Sequence, residues 1–215
     1  MYLPKHFEQN DPQALQALMR EHPLATLVTR GADGITADHL PLEYDPSAGP
    51  HGTLLGHVAR ANPLWQHAAD TPVMAVFQGA QAYVSPSLYP SKARTHKVVP
   101  TWNYIVVHAH GMLHAEDDPA WVHSLVSRLT QHHESTRRPP WAVSDAPADF
   151  VQQMLRAIVG IRIPLTRLVG KWKISQNRDG ADREGVALGL KDQGAAAQAM
   201  ARLVSGEPPP PEQKP

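Results

Sequence analysis

The 215-residue chain contains no cysteine. This absence excludes disulfide bonds, zinc sites with cysteine ligands, iron–sulfur clusters and thiol nucleophiles together. No run of apolar residues approaches the ~20 that a membrane-spanning helix needs. The segment from Met1 to Arg20 also lacks the apolar stretch of a signal peptide. We therefore expect a soluble protein of the cytoplasm that does not enter a membrane.

The chain has no excess of either charge. It carries 20 basic and 20 acidic residues, so its formal net charge is zero. A dedicated nucleic-acid binder usually has a basic excess, so this balance argues mildly against DNA binding. Charged residues make up only 19% of the chain. Such a low charge content fits a protein that hides part of its surface in an oligomer.

Acidic residues are missing from two long stretches. Residues 71–115 contain no Asp or Glu, although Lys92, Arg94 and Lys97 lie among them. Residues 151–178 also contain none, although six basic residues lie there. If the two stretches meet in the folded protein, they form a local anion-binding site.

The pattern of apolar residues predicts many strands and few helices. Strands are predicted at 24–30, 35–44, 53–58, 72–78, 80–84, 101–115, 161–165 and 168–175, helices at 11–22, 118–133, 147–158 and 194–204, a turn at 31–34 and one or two helical turns at 63–69. Gly79 is interpreted as the turn of a hairpin between its flanking strands. Turn-sized connections predict an α+β fold, a mainly antiparallel β-barrel with helices packed outside. We expect one domain over 1–205 with a helical insertion at about 117–158, then a disordered proline-rich tail at 206–215.

The first candidate for ligand binding is the strand Thr101-Trp102-Asn103-Tyr104. Trp102 and Tyr104 project from one face of the strand, and Thr101 and Asn103 project from the other. The aromatic face can cover a flat heterocycle, while the amide and hydroxyl groups bond its polar edge. The alternative is an ordinary buried Trp and Tyr, the commoner role of aromatic residues in strands.

The second candidate is the junction Gly56-His57-Val58-Ala59-Arg60-Ala61-Asn62-Pro63, where a strand is predicted to end and a helical turn to begin. Free backbone N–H groups at the helix start, together with Arg60, suit a phosphate. The alternative is that Asn62 only caps the helix before Pro63 and that Arg60 is solvated.

Two further segments have a similar mixture of residues. In Gly170-Lys171-Trp172-Lys173-Ile174-Ser175-Gln176-Asn177-Arg178, both lysines and Ser175 share one strand face, which suits a phosphate or a polar ring edge. The alternative is a solvated strand face. The loop that begins Tyr83-Val84-Ser85-Pro86 either lies over a ligand or is a mobile basic surface loop.

Histidine is abundant, with 13 residues. His108 and His110 share one face of a strand, an arrangement that can bind a metal ion. Gly111 interrupts this run, and no carboxylate follows until Glu116, so a structural role is the preferred interpretation and no metal site is predicted. No nucleophile–base arrangement is found, so no catalytic residue is predicted.

Six motifs together resemble the PaiB family, known as FMN-binding negative transcriptional regulators. They are Met1-Tyr2-Leu3-Pro4-Lys5-His6-Phe7, Asp38-His39-Leu40-Pro41, the junction at 56–63, Tyr83-Val84-Ser85-Pro86, Val99-Pro100-Thr101-Trp102-Asn103-Tyr104 and Lys171-Trp172-Lys173-Ile174-Ser175-Gln176-Asn177. Each motif alone is weak, whereas six in family order over residues 1 to about 180 are specific. The resemblance implies a split β-barrel related to pyridoxamine phosphate oxidases and flavin reductases. It also implies a homodimer with FMN in a cleft at the subunit interface.

The resemblance further implies ten cofactor-binding residues. His57, Arg60 and Asn62 would lie on the phosphate side, Ser85, Thr101, Trp102 and Asn103 would face the ring or ribityl chain, and Lys171, Lys173 and Gln176 would close the site. The two acid-free stretches are then expected to converge at this cleft. The family name implies a DNA-binding repressor, yet no helix-turn-helix pattern is found. Three hypotheses follow: an FMN-binding transcriptional regulator, a flavin-dependent oxidoreductase acting on a small molecule, and a dimeric interaction module that has lost the flavin.

Overall fold

The computed structural model describes residues 1–31, 34–67 and 71–207. The strands are β1 (Glu8–Gln9), β2 (Leu24–Gly31), β3 (Gly34–Pro41), β4 (Glu43–Asp45), β5 (Thr53–Ala59), β6 (Thr71–Val84), β7 (Thr101–Glu116) and β8 (Ile158–Lys173). The α-helices are α1 (Pro12–Glu21), α2 (Ser91–Thr95), α3 (Pro119–Glu134), α4 (Ala148–Arg156), α5 (Gly180–Leu190) and α6 (Ala195–Ser205), with 3-10 turns at Lys5–Phe7, Pro63–His67, Pro86–Leu88 and Val143–Asp145. Parts of the predicted turn at 31–34 and of the helical turns at 63–69, and the tail from residue 208 onward, lie outside the described residues.

The strands follow the order β3-β2-β6-β7-β8-β5-β4, and β1 pairs with β8. The pairings β1–β8, β2–β3, β2–β6, β4–β5 and β5–β8 are antiparallel. This arrangement confirms the predicted α+β fold class with an antiparallel sheet. In the part of the chain that the structure describes, every helix is too short or too polar to cross a membrane.

The chain divides into two compact units. Unit 1 comprises Met1–Glu21, Gln78–Val107 and, among the described residues, 169–207, while unit 2 comprises His22–Phe77 and His108–Leu168. Strands β6, β7 and β8 therefore contribute residues to both units. That residues 1–205 form one domain stays a prediction.

One hydrophobic cluster of unit 1 includes residues of strand β6 and of the two C-terminal helices, α5 and α6. Its buried residues are Ala82, Val84, Tyr89, Val186, Ala187, Leu190, Ala197, Met200, Ala201 and Val204. Helix α5 is absent from the predicted elements because its three glycines weaken the helical pattern. At Gly185 a Cβ would lie 2.3 Å from the carbonyl oxygen of Leu88, so close packing requires glycine there. The cap that begins the helix is the signal that could have revealed it: Asp179 accepts a hydrogen bond from the backbone N–H of Asp182 at 2.8 Å.

Strand β6 is one continuous strand of 14 residues, so the predicted hairpin of 72–78 and 80–84 is wrong. Gly79 does not make a turn. A Cβ at this position would lie 2.7 Å from Cγ1 of Ile105 and 3.2 Å from Cδ1 of Leu18. The glycine therefore allows close side-chain packing within unit 1.

Strand β8 runs without a break over 16 residues, so the prediction of two strands at 161–165 and 168–175 is also wrong. Thr166 and Arg167 are the two polar residues between the predicted strands. In the structure the Thr166 hydroxyl donates to the carbonyl oxygen of His110 at 3.2 Å. Arg167 Nη2 lies 3.2 Å from His110 Nε2. Both polar residues are therefore exposed parts of the strand.

Helix α3 in unit 2 begins after its predicted cap, Asp118. The Asp118 carboxylate accepts hydrogen bonds from the backbone N–H groups of Ala120 and Trp121 at 3.1 and 3.3 Å, which caps helix α3. Val122 and Leu125 are the buried residues of this helix.

Candidate functional site

An exposed aromatic pair lies on β6 and β7 in unit 1. Trp102 is 54% exposed and Tyr83 is 47% exposed. Their ring centroids are 6.0 Å apart in an edge-to-face arrangement. Trp102 is therefore not the buried core residue of the alternative interpretation. Adjacent large aromatic side chains that remain exposed are typical of a surface that binds a ligand or a partner.

Lys171 on β8 is only 7% exposed. Its Nζ lies 5.3 Å from the ring centroid of Tyr104 and 5.8 Å from that of Tyr2. It donates a hydrogen bond to the backbone carbonyl oxygen of Tyr2 at 3.0 Å. Among the described residues no carboxylate forms an ion pair with it. A buried ammonium without an anion is costly, so this position favours an anionic or electron-rich oxygen.

Lys173 is a second lysine without an acidic partner in the described part of the chain. Its Nζ donates to the carbonyl oxygen of Trp102 at 2.8 Å and to the hydroxyl of Thr101. Burial, and then repulsion from Lys171 and Arg178, lowers the pKa of Lys173. The two acid-free stretches of the sequence thus meet here, within unit 1. We call Tyr83, Trp102, Tyr104, Lys171 and Lys173 the aromatic–cation face, and Tyr2 lies against its Lys171.

Asn103 and Ser175 form a buried polar pair beside this face. Asn103 Nδ2 donates to Ser175 Oγ at 2.9 Å, and the two residues are 1% and 4% exposed. Asn103 Oδ1 is buried and has no hydrogen-bond partner. Ser175 has a φ of 64°, in the left-handed region that a non-glycine residue rarely adopts. Such a strained backbone is typical of functional sites, and here it follows directly after Lys173 and Ile174.

The side chains of Ser85 and Gln176, two predicted site residues of unit 1, form hydrogen bonds with residues close to them in sequence. The Ser85 hydroxyl accepts from the backbone N–H of Ser87 at 3.2 Å and bonds the Ser87 hydroxyl at 2.8 Å. Gln176 Nε2 donates to the carbonyl oxygen of Trp172 at 2.6 Å, and its Oε1 accepts from the N–H of Ile174 at 2.8 Å. Both side chains therefore shape the backbone next to the aromatic–cation face.

Arg60 lies in unit 2, after strand β5. Its guanidinium donates hydrogen bonds to a carboxylate and to two backbone carbonyl oxygens of the same unit. Nη1 donates to Asp117 Oδ2 at 2.9 Å and Nη2 to Oδ1 at 2.5 Å. Nε donates to the carbonyl oxygen of Arg156 at 2.8 Å, and Nη2 also reaches that of Ile158 at 3.1 Å. The bidentate pair raises the pKa of Arg60 and lowers that of Asp117. One side chain thus joins both ends of the helical insertion.

Asn62 and His57 also lie in unit 2. The Asn62 side-chain oxygen accepts from the N–H of Leu64 at 2.9 Å, which is the capping role of the alternative interpretation. Its Nδ2 donates to Asp38 Oδ1 at 2.8 Å, on the wall of a cleft of about 630 Å³. His57 Nδ1 is buried without a partner, and burial lowers the pKa of this histidine. Among the described residues, no group of three or more His, Asp or Glu side chains is placed to hold a metal ion.

The structure therefore separates the ten predicted residues into two groups. Seven lie in unit 1, namely Ser85, Thr101, Trp102, Asn103, Lys171, Lys173 and Gln176, and three lie in unit 2, namely His57, Arg60 and Asn62. Sequence reasoning did not include Tyr2 and Tyr83 among the site residues. Both residues occur in motifs that carry the family resemblance, which is the signal that could have found them.

Comparison with known proteins identifies the family. The family described as "Putative FMN-binding domain" matches residues 1–167. An uncharacterized protein of Aspergillus fumigatus is 33% identical over 240 residues, which cover 90% of this chain and 92% of the relative. The "Protease synthase and sporulation protein PAI 2" of Bacillus subtilis is 30% identical over 206 residues, which cover 95% of this chain and 96% of the relative.

A solved structure shows the same fold. The FAD and heme binding protein from Mycobacterium smegmatis superposes with a TM-score of 0.57 at 13% identity, over 77% of this chain and 73% of that chain. The predicted split-barrel fold is confirmed. With a family match over residues 1–167, the chain belongs to the PaiB-type family of FMN-binding domains.

Proposed function

We propose that this protein binds FMN and that the aromatic–cation face of unit 1 contacts the flavin ring. The buried Lys171 ammonium, which lacks an acidic partner among the described residues, is the observation that carries the proposal. The flavin ring is planar and bears carbonyl oxygens on one edge. Exposed Trp102 and Tyr83 suit its apolar face, and an ammonium suits its oxygen-bearing edge. Membership in a family of FMN-binding domains supports the same ligand.

The other predicted residues of unit 1 take supporting roles in this proposal. Thr101 and Asn103 hold Lys173 and Ser175 through side-chain hydrogen bonds. Ser85 and Gln176 fix the backbone at their own positions. For His57, Arg60 and Asn62 a contact with the FMN phosphate stays a prediction. Because Arg60 already forms a bidentate pair with Asp117, we expect its contribution to phosphate binding to be small.

The proposal is tested by titrating purified protein into FMN and recording flavin fluorescence and the visible absorption spectrum. We expect saturable quenching and a shifted flavin absorption band. Absence of both would contradict FMN binding and would favour an interaction module without flavin. Consumption of NAD(P)H above the rate of a protein-free control with the same FMN would favour the alternative of a flavin-dependent oxidoreductase.

We also propose that the protein is a homodimer with the flavin at the subunit interface. Exposed Val99 (64%), Trp102 and Tyr83 support this proposal, because a partner subunit would remove their apolar surface from water. Sedimentation equilibrium tests it directly. A mass near twice the 23.6 kDa of one chain is expected, and a concentration-independent monomer would contradict it.

The family resemblance further leads us to propose a cytoplasmic transcriptional regulator, a repressor of the PaiB type. The measurement is fluorescence anisotropy with a duplex taken from upstream of the gene for this chain, compared with a scrambled duplex of equal length. Specific, salt-dependent binding is expected. Equal or absent binding of the two duplexes would contradict direct repression while leaving the flavin proposal intact.

A further inference from the structure

The first residues of the chain lie over Lys171. The carbonyl oxygen of Tyr2 accepts a hydrogen bond from Lys171 Nζ at 3.0 Å. Within the described part of the chain, residues 1–3 form no other hydrogen bond. Tyr2 itself is 84% exposed and Met1 is 49% exposed. Leu3 and Pro4 are half-buried, and farther on Phe7 is buried and β1 pairs with β8. Tyr2 thus contacts Lys171 while most of its own surface stays exposed.

The Tyr2 carbonyl uses only part of the hydrogen-bonding capacity of the Lys171 ammonium. A hydrogen bond with one ionised partner is roughly twice as strong as a neutral one, and Lys171 makes one such bond, to Tyr2. Glu8 stands opposite Lys171 in the β1–β8 register, yet it is exposed and forms no ion pair with it. Two of the three Nζ donors of Lys171 therefore have no hydrogen-bond acceptor among the described residues. Lys171 is only 7% exposed and Tyr2 lies against its ammonium, so an electron-rich ligand oxygen that reaches Nζ takes the place of Tyr2.

We infer that Tyr2 is an internal competitor for the ligand oxygen that Lys171 recognises. The Tyr2 carbonyl occupies the ammonium in the empty protein, and a carbonyl oxygen of the flavin ring takes its place on binding. The start of the chain is then released from the aromatic–cation face. This inference rests on the proposed function, because the competing oxygen belongs to the flavin.

The release is measured on the full-length protein with a red-emitting dye on the N-terminal amine. Its anisotropy reports how firmly residues 1–3 are held. We expect FMN to lower the anisotropy of the wild type. Lys171→Met should show the low value before FMN is added, whereas Lys92→Met, an exposed lysine of α2, should behave as the wild type.

The competition is measured as affinity, with a variant that lacks Tyr2 and Leu3. We expect this deletion to tighten binding of FMN by about tenfold, the size of a lost charge-assisted hydrogen bond. The deletion should tighten binding of riboflavin equally, because the proposed contact is with the flavin ring. Tighter binding of FMN alone would place Lys171 at the phosphate and overturn the inference. In the Lys171→Met background the same deletion should change neither affinity.

The outcomes separate the two proposals. FMN that binds the wild type without lowering the dye anisotropy overturns the competitor and leaves the proposed function standing. If the deletion leaves the affinity for FMN unchanged or weakens it, the competitor is also overturned and the proposed function stands. Failure of FMN to bind both the wild type and the deletion variant overturns the proposed function, and the competitor falls with it.

Discussion

The aromatic–cation face of unit 1 and the surroundings of Arg60 in unit 2 both come from motifs that contain basic residues. The hydrogen-bond partners of these basic residues differ between the two units. Lys171 and Lys173 donate to neutral oxygens, the carbonyls of Tyr2 and Trp102 and the Thr101 hydroxyl. Arg60 instead forms a bidentate pair with the Asp117 carboxylate and reaches two backbone carbonyls. Among the described residues, Lys171 and Lys173 of unit 1 form no ion pair with a carboxylate, whereas the charge of Arg60 in unit 2 is neutralised by Asp117.

A cation without an internal carboxylate partner is therefore the stronger candidate for ligand binding. The Arg60 guanidinium has five N–H donors, and four of them are used within unit 2. It joins strand β5 to both ends of the helical insertion. We therefore expect Arg60 to act mainly on stability and the lysines of unit 1 mainly on ligand binding.

The largest expected effect is on FMN affinity in unit 1. Trp102→Ala removes the exposed aromatic wall, and Lys173→Met removes an uncompensated charge. Each should weaken FMN binding by about tenfold or more, the scale of a lost aromatic contact for Trp102 and of a lost hydrogen bond to a charged group for Lys173. Fluorescence quenching titrations give both values. Trp141→Ala is the matched control, an exposed tryptophan of unit 2 that should leave the affinity unchanged; an equal loss there would contradict the assignment.

The next effect is on the stability of unit 2. Arg60→Met should lower the midpoint of urea unfolding, because it leaves Asp117 and two carbonyl oxygens without their donor. The ratio of FMN to riboflavin affinity should stay the same within about twofold, a shift of a few tenths of a kcal/mol. Arg137→Met, at an exposed arginine, is the control. A ratio that falls sharply in Arg60→Met would show that this residue contacts the phosphate.

A pH dependence distinguishes Lys173 from a fully exposed lysine. Burial and the neighbouring cations lower its pKa, so it loses its proton at a lower pH than the usual value of about 10.4. The protonated Lys173 side chain is proposed to strengthen FMN binding. The affinity for FMN should therefore be constant at neutral pH and fall as the pH rises through the lowered pKa of Lys173. Titrations from neutral to alkaline pH check this. The fall should be missing from Lys173→Met, and an identical fall in that variant would refute the role.

The smallest expected effect concerns His57 in unit 2. Its folded pKa is lowered by burial, so below the unfolded pKa of about 6.5 the unfolded state binds the proton more readily. Stability should therefore be lost as the pH falls from 6.5 or so toward the lower folded value. Urea unfolding at a series of acidic pH values should give a shallower loss for His57→Gln. His22→Gln, at an exposed histidine, should follow the wild type.

Periodicity and capping signals in the sequence predict most elements of the fold, whereas the glycine at position 79 gives a wrong prediction. Asp11 and Asp118 correctly marked the starts of α1 and α3. Gly79 was interpreted as a turn because glycine is the commonest turn residue, but the structure uses it to admit Ile105. Such a tertiary contact joins residues 26 positions apart in sequence and leaves no local pattern.

The site was predictable only in part for the same reason. The alternation in β7 placed Trp102 and Tyr104 on one face, and their motif resembled a known family. The partner of Arg60 could not be predicted, because Asp117 lies 57 positions away and only the fold brings it close. The contact of Tyr2 with Lys171 spans 169 positions. Whether a charge is compensated is thus a property of the folded chain.

The most direct test of the central claim is hydrogen exchange of the full-length protein with and without FMN, followed by mass spectrometry of its peptides. The aromatic–cation face predicts that FMN slows exchange in peptides that cover 101–107 and 171–178. A weaker effect is expected in peptides that cover 57–65, where Arg60 is internally paired. Protection confined to 57–65, with none in the two segments of unit 1, would contradict the account.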